Sequence, residues 1–527
     1  MQLLQTRVEL LHWCATPAQR TVPLHFVPTM GGLHRGHSSL VEAARRPVAG
    51  LEPRVLVSVF VNPLQFAPGE DFSRYPRPLE ADERLAREAG ADALFRPSVE
   101  ELFPGGEGQL TRLSPPRELQ EVLCGRHRPG HFDGVATVVT RLLGLVRPER
   151  LMLGEKDWQQ LVILRRLVAD LGLPLRVQGC ATVRESDGLA CSSRNRYLSA
   201  AERLQVQALP QALEAARGAL RAAGDMVNGV GSGVSGEALV AVVREALGRA
   251  QLEVEYVELV QPHSLAPLPR LDRLGLLAVA VRCGGCRLID HTVLMTRLPL
   301  VAIDGPAGAG KSTVTRAFAA RMGLVYLDTG AMYRALTWWV QQQGVDPSDG
   351  AAIEPLLQGL DLQLSTAAGG EQRVCINGHD VSEAIRSPDV TAQVSMVAAH
   401  ACVRAALTRQ QQAMGERGGL VAEGRDIGTA VFPHADLKVF LTATVEERAR
   451  RRALDLEQRG FPVPPLAELE EQIASRDHAD ASREVAPLRQ APDAQELVTD
   501  GMTIELVIQT LVDLFRERVP EEAWPGS

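Results

Sequence analysis

The sequence carries a complete phosphate-binding loop in its middle, and this loop constrains the fold more than any other feature. Residues 305–312 read GPAGAGKS, the pattern of a glycine-rich turn between a strand and a helix. Glycines let backbone N–H groups surround an anion, and the positive end of the following helix adds to the attraction. The apolar run 300–303 fits the strand, and residues 313–318 fit the helix. Such a loop normally opens its domain, so the long segment before it predicts a separate domain.

Length, composition and charge set the outer limits. At 527 residues the chain is too long for one ordinary domain, and its 45% hydrophobic and 23% charged content is typical of globular domains. A net charge of −8 provides no electrostatic footprint for nucleic acid. No apolar run reaches membrane-spanning length, and the first residues lack the layout of a signal peptide. Together with eight scattered cysteines, these features predict a reduced, cytoplasmic protein with no nucleic-acid or membrane partner.

One cysteine pair, Cys283 and Cys286, is separated by two glycines. A redox or zinc site would need a helix start or a second such pair, and the sequence has neither. The apolar flanks instead predict two strands, with Gly284 and Gly285 as a two-residue hairpin turn.

Secondary-structure patterns divide the chain into three parts. Residues 1–180 alternate short apolar strands with helical patterns, which favours a parallel α/β sheet. Residues 181–296 contain two helical patterns and the hairpin, which indicates a smaller α+β domain. Between those helical patterns, residues 224–236 are rich in glycine and predict a mobile loop. Residues 297–527 form the part that the phosphate-binding loop opens.

A second nucleotide signature follows the first buried strand. His34 and His37 lie three residues apart at the start of a predicted helix, so their rings share one face. With the helix dipole they can stabilise the charge of a triphosphate, and Gly36 between them allows close approach of the nucleotide. A pair of surface or core histidines is the alternative.

Three further segments favour the nucleotide interpretation. Residues 60–66 end a buried strand with amides that suit a polar substrate, and residues 154–160 end another strand and start a helix. Residues 192–195 offer hydroxyls and a guanidinium for phosphate oxygens. Ligands of open α/β sheets bind at the carboxyl ends of strands, where three of these segments fall. A helix N-cap is the alternative for Asp157, and the end of a strand is the alternative for Ser192 or Ser193.

These segments resemble pantoate–β-alanine ligase, also called pantothenate synthetase. The resemblance spans about residues 1–295 and rests on PTMGGLHRGH, FVNPLQF, RPGHFDGVATVV, GEKDWQQL and SSRNRYL in that order. It implies a Rossmann-like HxGH domain at 1–180 and a small C-terminal α+β domain at 181–296. It also implies that pantoate attacks ATP to give pantoyl adenylate and pyrophosphate. The β-alanine amine then displaces AMP and gives pantothenate.

The resemblance also assigns roles to individual residues. His34, His37 and Lys156 assist adenylyl transfer, and His37 is usually assigned as the proton donor. Mg²⁺ binds on the ATP phosphates, and such ligases are often dimers, which gives the hypothesis of a homodimer through this half. The residues expected to hold pantoate and β-alanine are Asn62, Gln65 and Gln160, and those expected around ATP are Met30, Gly31, Gly32, Leu33, His34, Arg35, Gly36, His37, Gly154, Glu155, Lys156, Asp157, Val183, Cys191, Ser192, Ser193 and Arg194.

The second half adds three segments to the phosphate-binding loop. Residues 327–334 follow the first helix after the loop, residues 423–428 follow a strand, and the arginine-rich residues 448–452 follow another strand. Arginines near such a loop suit transfer between two phosphorylated substrates, because transition-state charge spreads over several oxygens. A solvated helix face, paired with neighbouring acidic residues, is the alternative for residues 448–452.

These segments resemble cytidylate kinase. The resemblance covers about residues 298–515 and rests on GPAGAGKST, LDTGAMYR, NGHDVSEAIRSPDV, GRDIGTAVFP and RDHADASREVAPL. It implies a P-loop nucleoside monophosphate kinase domain at 297–527, which transfers phosphate from ATP to CMP or dCMP. Lys311 is then the catalytic lysine, and Ser312 binds Mg²⁺ through the nucleotide. The residues expected around ATP are Gly305, Pro306, Ala307, Gly308, Ala309, Gly310, Lys311, Ser312 and Thr313; those expected around CMP are Tyr333, Arg334, Ser395, Arg404, Arg425, Asp426, Arg476, Asp480 and Arg483; and those of the lid are Arg448, Arg451 and Arg452.

The sequence thus predicts a bifunctional enzyme with the small-molecule substrates ATP, pantoate, β-alanine and CMP or dCMP. A different HxGH enzyme, such as a nucleotidyltransferase or an aminoacyl-tRNA synthetase, is one alternative, although the sequence lacks a KMSKS-type segment and a basic tRNA-binding domain. A nucleotide sensor in one half is the other alternative, against which the intact His34, His37, Lys311 and Ser312 argue. The absence of an NKxD sequence disfavours a GTPase.

Overall fold

The computed structural model describes residues 1–16, 22–48, 50–67, 69–226, 234–366, 372–458, 460–483 and 485–524. The chain forms two compact units within these residues. The first unit contains Met1–Thr296 together with Pro520–Ala523, and the second contains Arg297–Val519 and Trp524. The short segment Pro520–Ala523, which the sequence analysis assigned to the last domain at 297–527, therefore belongs to the first unit.

A parallel sheet lies at the centre of the first unit, and its six strands are β1 (Gln2–Leu4), β2 (Leu24–Thr29), β3 (Arg54–Val59), β4 (Ala93–Phe95), β5 (Arg150–Gly154) and β6 (Arg176–Cys180). The strand order is β1-β4-β3-β2-β5-β6, and all neighbours pair in parallel. The chain moves outwards from β2 through β3 to β4 and then returns to the other side of β2 with β5. The carboxyl ends of β2 and β5 therefore border the point where the strand order reverses, which is where such sheets bind ligands.

Helices cover this sheet, so its inner strands are buried along their length, as parallel strands require. Phe26, Leu56 and Leu151 on three neighbouring strands have no exposed surface. The helices of this part are α1 (Arg7–Ala15), α2 (Arg35–Ala44), α3 (Leu79–Glu88), α4 (Val99–Leu102), α5 (Arg117–Gln120), α6 (Leu123–His127), α7 (His131–Val146) and α8 (Trp158–Asp170).

The rest of the first unit is a smaller α+β part. Its helices are α9 (Ala200–Val206), α10 (Ala208–Met226) and α11 (Gly236–Arg249), and its strands are β7 (Val234–Ser235), β8 (Glu253–Val260), β9 (Arg270–Leu271), β10 (Leu274–Cys283) and β11 (Cys286–Met295). Strands β10 and β11 form the predicted hairpin, because Cys283 pairs with Cys286 and both intervening glycines have positive φ. None of the eight cysteines, all of which are described, forms a disulfide. The central residues 227–233 of the predicted mobile loop lie outside the described residues.

The second unit is built on another parallel sheet, whose strands are β12 (Leu300–Asp304), β13 (Val325–Asp328), β17 (Leu420–Gly424), β18 (Leu437–Thr442) and β19 (Gln495–Val498), in the order β13-β17-β12-β18-β19. The strand that leads into the phosphate-binding loop is central in this order. A small antiparallel sheet consists of β14 (Leu362–Thr366), β15 (Gln372–Ile376) and β16 (His379–Asp380). The helices are α12 (Lys311–Met322), α13 (Thr329–Gln342), α14 (Gly350–Ile353), α15 (Pro388–Val397), α16 (Ala401–Gly415), α17 (Val445–Gln458), α18 (Leu466–Ala481) and α19 (Ile504–Arg518).

The predicted fold class is confirmed: a Rossmann-like α/β sheet with a small α+β part is followed by a P-loop α/β unit. Among the described residues, no single helix is both long and apolar enough to cross a membrane. The pair α15 and α16, bent by 100°, passes the same test by length and composition. Its apolar residues Val397, Val403 and Leu407 have no exposed surface within the second unit.

Candidate active sites

The two histidines of the HxGH segment lie at the start of α2, directly beyond the carboxyl end of β2. His34 is the N-cap residue, and its Nδ1 accepts a hydrogen bond from the Gly36 N–H at 3.2 Å. The Nδ1 of His37 accepts one from the His34 N–H at 3.2 Å, and the ring centroids are 4.1 Å apart. A neutral imidazole whose Nδ1 accepts carries its proton on Nε2. The local backbone therefore fixes the tautomer, and both rings offer an Nε2–H donor.

A buried carboxylate shapes the loop before these histidines. Asp82, on α3, accepts hydrogen bonds from the N–H groups of Gly32 at 2.9 Å and Leu33 at 2.7 Å. Gly31 and Gly32 have φ values of +85° and +62°, which favour glycine. Burial raises the pKa of the Asp82 carboxyl, against the effect of the two N–H donors. Sequence reasoning missed Asp82, because nothing local links it to a loop 50 residues earlier.

The predicted ATP segment 191–194 packs directly on the HxGH loop. A Cβ at Gly32 would lie 3.2 Å from the Ser193 Cβ, and one at Gly36 would lie 3.5 Å from the Cys191 Cβ. The backbone N–H of Cys191 donates a hydrogen bond to the Val183 carbonyl at 2.9 Å. Two sequence-distant parts of the predicted ATP site are therefore in contact.

Both histidines are neutral in the free protein at neutral pH. Burial lowers the pKa of His34 to about 4, and the positive charge of Lys156 acts in the same direction. Burial, followed by the effect of His34, lowers the pKa of His37 to about 3. Burial and the neighbouring Arg128 similarly lower the pKa of His131 to about 4. His34 and His37 are therefore neutral hydrogen-bond donors through Nε2–H.

These pKa values predict a pH-dependent stability. The folded-state values lie below the ordinary value of 6.5, so the unfolded chain binds more protons between about pH 6.5 and pH 4. The free energy of unfolding of the first unit should therefore fall as the pH drops through this window. Urea unfolding at pH 7.5 and pH 5 measures this free energy. The difference in free energy of unfolding between the two pH values should be smaller in the double variant His34→Gln/His37→Gln than in the wild type. An unchanged difference would contradict the assignment.

Both atoms of the Gln65 side-chain amide make contacts within the first unit. Its Oε1 accepts from the Asn62 Nδ2 at 3.1 Å, and its Nε2 lies 2.7 Å from the Met30 Sδ. Asn62 also donates to the Gly134 carbonyl at 3.0 Å and accepts from the Leu64 N–H at 3.2 Å. Asn62 is buried with its amide occupied. In this structure Asn62 therefore holds Gln65, and its own contact with substrate stays a prediction.

The close packing behind Gln65 depends on a glycine in α7. A Cβ at Gly134 would lie 2.3 Å from the Leu64 carbonyl oxygen and 2.8 Å from the Gln65 nitrogen. Gly134→Ala should therefore displace Gln65 and destabilise the unit by about 1–3 kcal/mol, as overpacking does. We expect the KM for pantoate to rise about tenfold. Gly144→Ala in the same helix is the matched control, because a Cβ there has open space; equal kinetics for both variants would contradict the prediction.

A cavity of about 720 Å³ opens at the carboxyl end of β5. It is lined by Lys156, Asp157, Gln160, Ser192 and Arg194 from the predicted set, and also by Glu70, Arg128 and His131. The remaining predicted residues of this half, including both HxGH histidines and Gln65, lie outside its lining.

The alternative to a binding role was a helix N-cap for Asp157 and the end of a strand for Ser192 or Ser193. Asp157 occupies the N-cap position of α8 but makes no capping hydrogen bond. Burial raises the pKa of its carboxyl, and the charges of Lys156 and Arg194 outweigh this and lower it. The Ser192 hydroxyl does cap, because its Oγ accepts from the Arg194 N–H at 3.3 Å. Asp157 therefore does not act as the predicted cap, and Ser192 caps the 3₁₀ turn Ser193–Tyr197 instead of ending a strand.

In the second unit, the phosphate-binding loop connects β12 to α12. A Cβ at Gly305 would lie 2.0 Å from the Leu441 carbonyl oxygen, so only glycine fits there. The Lys311 Nζ donates to the carbonyls of Gly305 and Pro306, both at 2.8 Å. Burial, and then the charge of Arg425, lower the pKa of Lys311 to about 7. The ammonium therefore rests on the loop backbone, next to the place where phosphate would lie.

Ser312 and Glu423 form a pair of oxygen ligands suited to a divalent cation. The Ser312 Oγ donates to the Glu423 Oε1 at 2.5 Å, while the Glu423 Oε2 is buried without a hydrogen-bond partner in the described residues. Burial raises the pKa of the Glu423 carboxyl, and the charge of Asp328 adds to this. A hydroxyl and an unsatisfied carboxylate oxygen fit Mg²⁺. Sequence reasoning missed Glu423, although a carboxylate that ends a strand beside a P-loop is a known signal.

A cavity of about 520 Å³ joins this loop to every residue predicted for CMP. Among the lining residues, the Asp480 carboxylate accepts a hydrogen bond from the Arg425 Nε at 3.0 Å and also pairs with Arg483. Burial, and then the charge of Arg425, lower the pKa of Arg476. This concentration of guanidinium groups is complementary to a phosphate.

In the lining of this cavity, Arg404 and Asp426 form a buried ion pair. Asp426 is followed by a π-helical turn, Ile427–Val431, whose first N–H groups donate to the Asp304 carboxylate at 2.8 and 2.7 Å. The Tyr333 hydroxyl is buried without a partner among the described residues, beside the Arg404 guanidinium. A buried donor paired with an acceptor can read the polar edge of a base.

The three arginines predicted for the lid have different surroundings. Arg448 is buried, pairs with Asp477 and donates to the Ala307 carbonyl at 3.1 Å, so it supports the loop from behind. Arg451 and Arg452 line the cavity, although both also pair with acidic residues of α17. A purely solvated helix face is therefore wrong for Arg448.

Comparisons with known proteins agree with this geometry. The family model for pantoate–β-alanine ligase matches residues 2–293, and that for cytidylate kinase matches residues 301–517. A bifunctional pantoate ligase/cytidylate kinase of Parasynechococcus marenigrum (strain WH8102) is 64% identical over 523 residues and covers 99% of both chains. One of Prochlorococcus marinus (strain MIT 9313) is 64% identical over 505 residues, 96% of this chain and 97% of the relative.

A solved structure resembles the first unit. The crystal structure of pantothenate synthetase from Thermus thermophilus is 46% identical, with a TM-score of 0.50, and covers 56% of this chain and 99% of that chain. Each half matches its own family model, and the relatives that match along nearly the whole chain contain both halves in the same order. The chain belongs to the bifunctional pantoate ligase/cytidylate kinases.

Proposed function

We propose that the first unit condenses pantoate with β-alanine through a pantoyl adenylate, and that the second unit transfers the γ-phosphoryl group of ATP to CMP or dCMP. The observation that carries the proposal is the presence of two separately built nucleotide sites. Each combines a lysine, a helix N-terminus and substrate-facing polar groups at the carboxyl ends of parallel strands.

In the first unit, catalysis rests on positioning and charge stabilisation. A pantoate carboxylate oxygen attacks the α-phosphorus of ATP, and pyrophosphate leaves. Negative charge grows on the phosphate oxygens, where the Nε2–H groups of His34 and His37, the N-terminus of α2 and Lys156 can stabilise it. The bound triphosphate raises the pKa of both rings from their low values in the free protein. That rise lets His37 donate a proton to the leaving pyrophosphate.

The second step of this reaction needs a free amine. The β-alanine nitrogen attacks the carbonyl carbon of the pantoyl adenylate, and AMP leaves with the bonding electrons. Gln65, held by Asn62, and Gln160 in the cavity lining position the pantoyl hydroxyls. Proximity accounts for most of the rate of such an acyl transfer.

In the second unit, the arginines around Asp480 hold the CMP phosphate, and Arg404 with Asp426 reads the cytosine edge. Lys311 leaves the carbonyls of Gly305 and Pro306 to bind the transferring phosphate. Ser312 and Glu423 hold the Mg²⁺ ion, which neutralises the charge of the ATP phosphates when bound. The guanidinium groups then stabilise charge on the equatorial oxygens of the transferring group.

Nucleotide chromatography in two reactions tests both proposals. ATP and Mg²⁺ are incubated with pantoate and β-alanine in one tube and with CMP in the other. We expect AMP in the first tube only when both acids are present, and ADP with CDP in the second. Formation of CDP without AMP would support the kinase proposal and reject the ligase proposal. The first unit would then be a nucleotidyltransferase or a nucleotide sensor, the two alternatives given by the sequence.

Two proposals concern the protein as a whole. A homodimer through the first unit, based on the family resemblance, is tested by sedimentation equilibrium. A reducing, cytoplasmic location is supported by eight cysteines that form no disulfide. Fractionation of cells with an antibody against the chain tests it.

A further inference from the structure

The cysteine pair at the tip of the β10–β11 hairpin has no part in the proposed reactions. The sequence predicts a hairpin here rather than a redox site, because no helix starts at the pair, and the structure confirms the hairpin. That same hairpin makes Cys283 and Cys286 the last cross-strand partners before the turn, and both are buried. Side chains of directly opposite residues lie on one face of a sheet, so the two thiols are neighbours.

The pairing brings these two cysteines within reach of a disulfide bond. Directly opposite residues of an antiparallel pair have Cα atoms about 4.5–5.5 Å apart, inside the range of about 4.4–6.8 Å that a disulfide spans. Their Cβ atoms lie about 4.5–5.5 Å apart, slightly more than the roughly 3.5–4.5 Å of an unstrained bridge. The bond therefore needs only a small approach of the strand ends, and the strain that remains makes it easy to reduce again.

Each thiol contacts a different part of the first unit. The Cys283 S–H donates to the Gln205 Oε1 at 3.3 Å, and the Cys286 Sγ lies 3.8 Å from the backbone carbonyl oxygen of Arg194. Cys286 is also among the described residues that line the cavity of about 720 Å³, so a small solute in the cavity reaches its sulfur. A disulfide would remove both S–H donors and draw Cys286 away from Arg194, a residue expected on the ATP phosphates.

A metal site does not account for the pair. Structural zinc sites use four ligands. In the described part of the chain, no group of three or more histidine, cysteine, aspartate or glutamate side chains is placed to hold an ion. The chemistry left to two adjacent thiols is their joint oxidation, which in a reducing compartment is transient and regulatory.

We propose that Cys283 and Cys286 form a reversible oxidation site, which hydrogen peroxide closes to a cross-strand disulfide that weakens ATP binding in the first unit. The Cys286 thiolate attacks one peroxide oxygen, the O–O bond breaks, and the leaving hydroxide takes up a proton, so that water and a sulfenic acid result. The Cys283 sulfur then attacks the sulfenic sulfur. The S–S bond forms, the S–O bond breaks, and the Cys283 proton leaves with the oxygen in a second water.

The order of the two thiols follows from their surroundings. Cys286 borders the cavity, whereas burial, and then the charge of Glu202, raise the pKa of the Cys283 thiol. A thiol with a raised pKa is a poor first nucleophile for peroxide, because the thiolate is the reactive form. Cys283 therefore acts second. The effect on ATP binding rests on the proposed ligase function, but the disulfide does not.

Peptide mapping and kinetics on one preparation of the full chain test the proposal. Trypsin cleaves after Arg282 and Arg287, so both cysteines fall in the single peptide Cys283–Arg287. After treatment with hydrogen peroxide, we expect this peptide to be two hydrogen atoms lighter and protected from alkylation, and dithiothreitol should reverse both changes. The KM for ATP in pantoate-dependent exchange of labelled pyrophosphate should rise about tenfold on oxidation, because the Arg194 segment is displaced. CDP formation should not change.

The variant Cys283→Ser should show neither the internal disulfide nor the rise in KM that dithiothreitol reverses. Cys14→Ser is the matched control and should respond like the wild type, because Cys14, on α1, is not among the described residues of the cavity lining. Alkylation of both cysteines of the peptide after peroxide treatment would overturn the proposal. An oxidised protein with an unchanged KM, or an equal reversible rise in Cys283→Ser, would overturn the effect on ATP binding. Absence of exchange in the reduced wild type would reject the ligase function, while the peptide map still decides the disulfide.

Discussion

Replacing Lys311 by alanine is expected to lower CMP phosphorylation by about 10³-fold and to leave pantothenate formation within about threefold of wild type. Phosphoryl transfer involves little covalent work by the protein, so loss of a charge that contacts the transferring group removes much of the catalysis. Lys311 is the buried ammonium at the loop, held 2.8 Å from two loop carbonyls. Alanine cannot replace that charge.

The measurement is the steady-state rate of CDP and pantothenate formation in the same preparation of Lys311→Ala. Lys438→Ala is the control, because Lys438 lies in the same sheet but pairs with Asp493 outside the nucleotide cavity. We expect both of its rates to stay within about threefold of wild type. A comparable loss of pantothenate formation in Lys311→Ala would contradict two independent active sites.

The rarity of lysine in this chain strengthens the prediction. Lys156, Lys311 and Lys438 are the only lysines among 56 basic residues. Two of them, Lys156 and Lys311, line the two described cavities of about 720 and 520 Å³. The other 53 basic residues are arginines. A lysine offers a compact ammonium with freely rotating donors, which suits contact with phosphate.

The sequence predicted those parts of the sites that depend on local backbone. The phosphate-binding loop and the HxGH segment each join a buried strand to a helix start, and their glycines and histidines act within a few residues. The hairpin at Gly284 was predictable for the same reason. Short-range geometry of this kind can be read from spacing alone.

The residues that the sequence did not reveal act across long chain separations. Asp82 holds the HxGH loop from α3, and Glu423 reaches Ser312 from a strand more than a hundred residues later. Asn62 was assigned to substrate, yet it faces Gly134 and Gln65. Which polar atoms become buried against one another depends on how helices pack over the sheet, and no local pattern encodes it.

Replacing His37 by alanine is expected to have the reverse effect of Lys311→Ala. Pantothenate formation should fall by about 10²–10⁴-fold, the usual contribution of a positioned proton donor, with CMP phosphorylation within about threefold. His37 also accepts the N–H of His34 at 3.2 Å, so its loss frees the N-cap of α2 as well as removing its own Nε2–H. Both effects weaken stabilisation of the attacked phosphate.

The two contributions can be separated with His37→Asn. Its side-chain oxygen can still accept the His34 N–H and its amide can donate a hydrogen bond, but it cannot deliver a proton. If proton delivery dominates, His37→Asn should be as slow as His37→Ala; if hydrogen bonding dominates, it should recover much of the rate. His12→Ala, in an exposed part of α1, controls for the loss of an imidazole. Wild-type pantothenate formation by His37→Ala would contradict a catalytic role for His37.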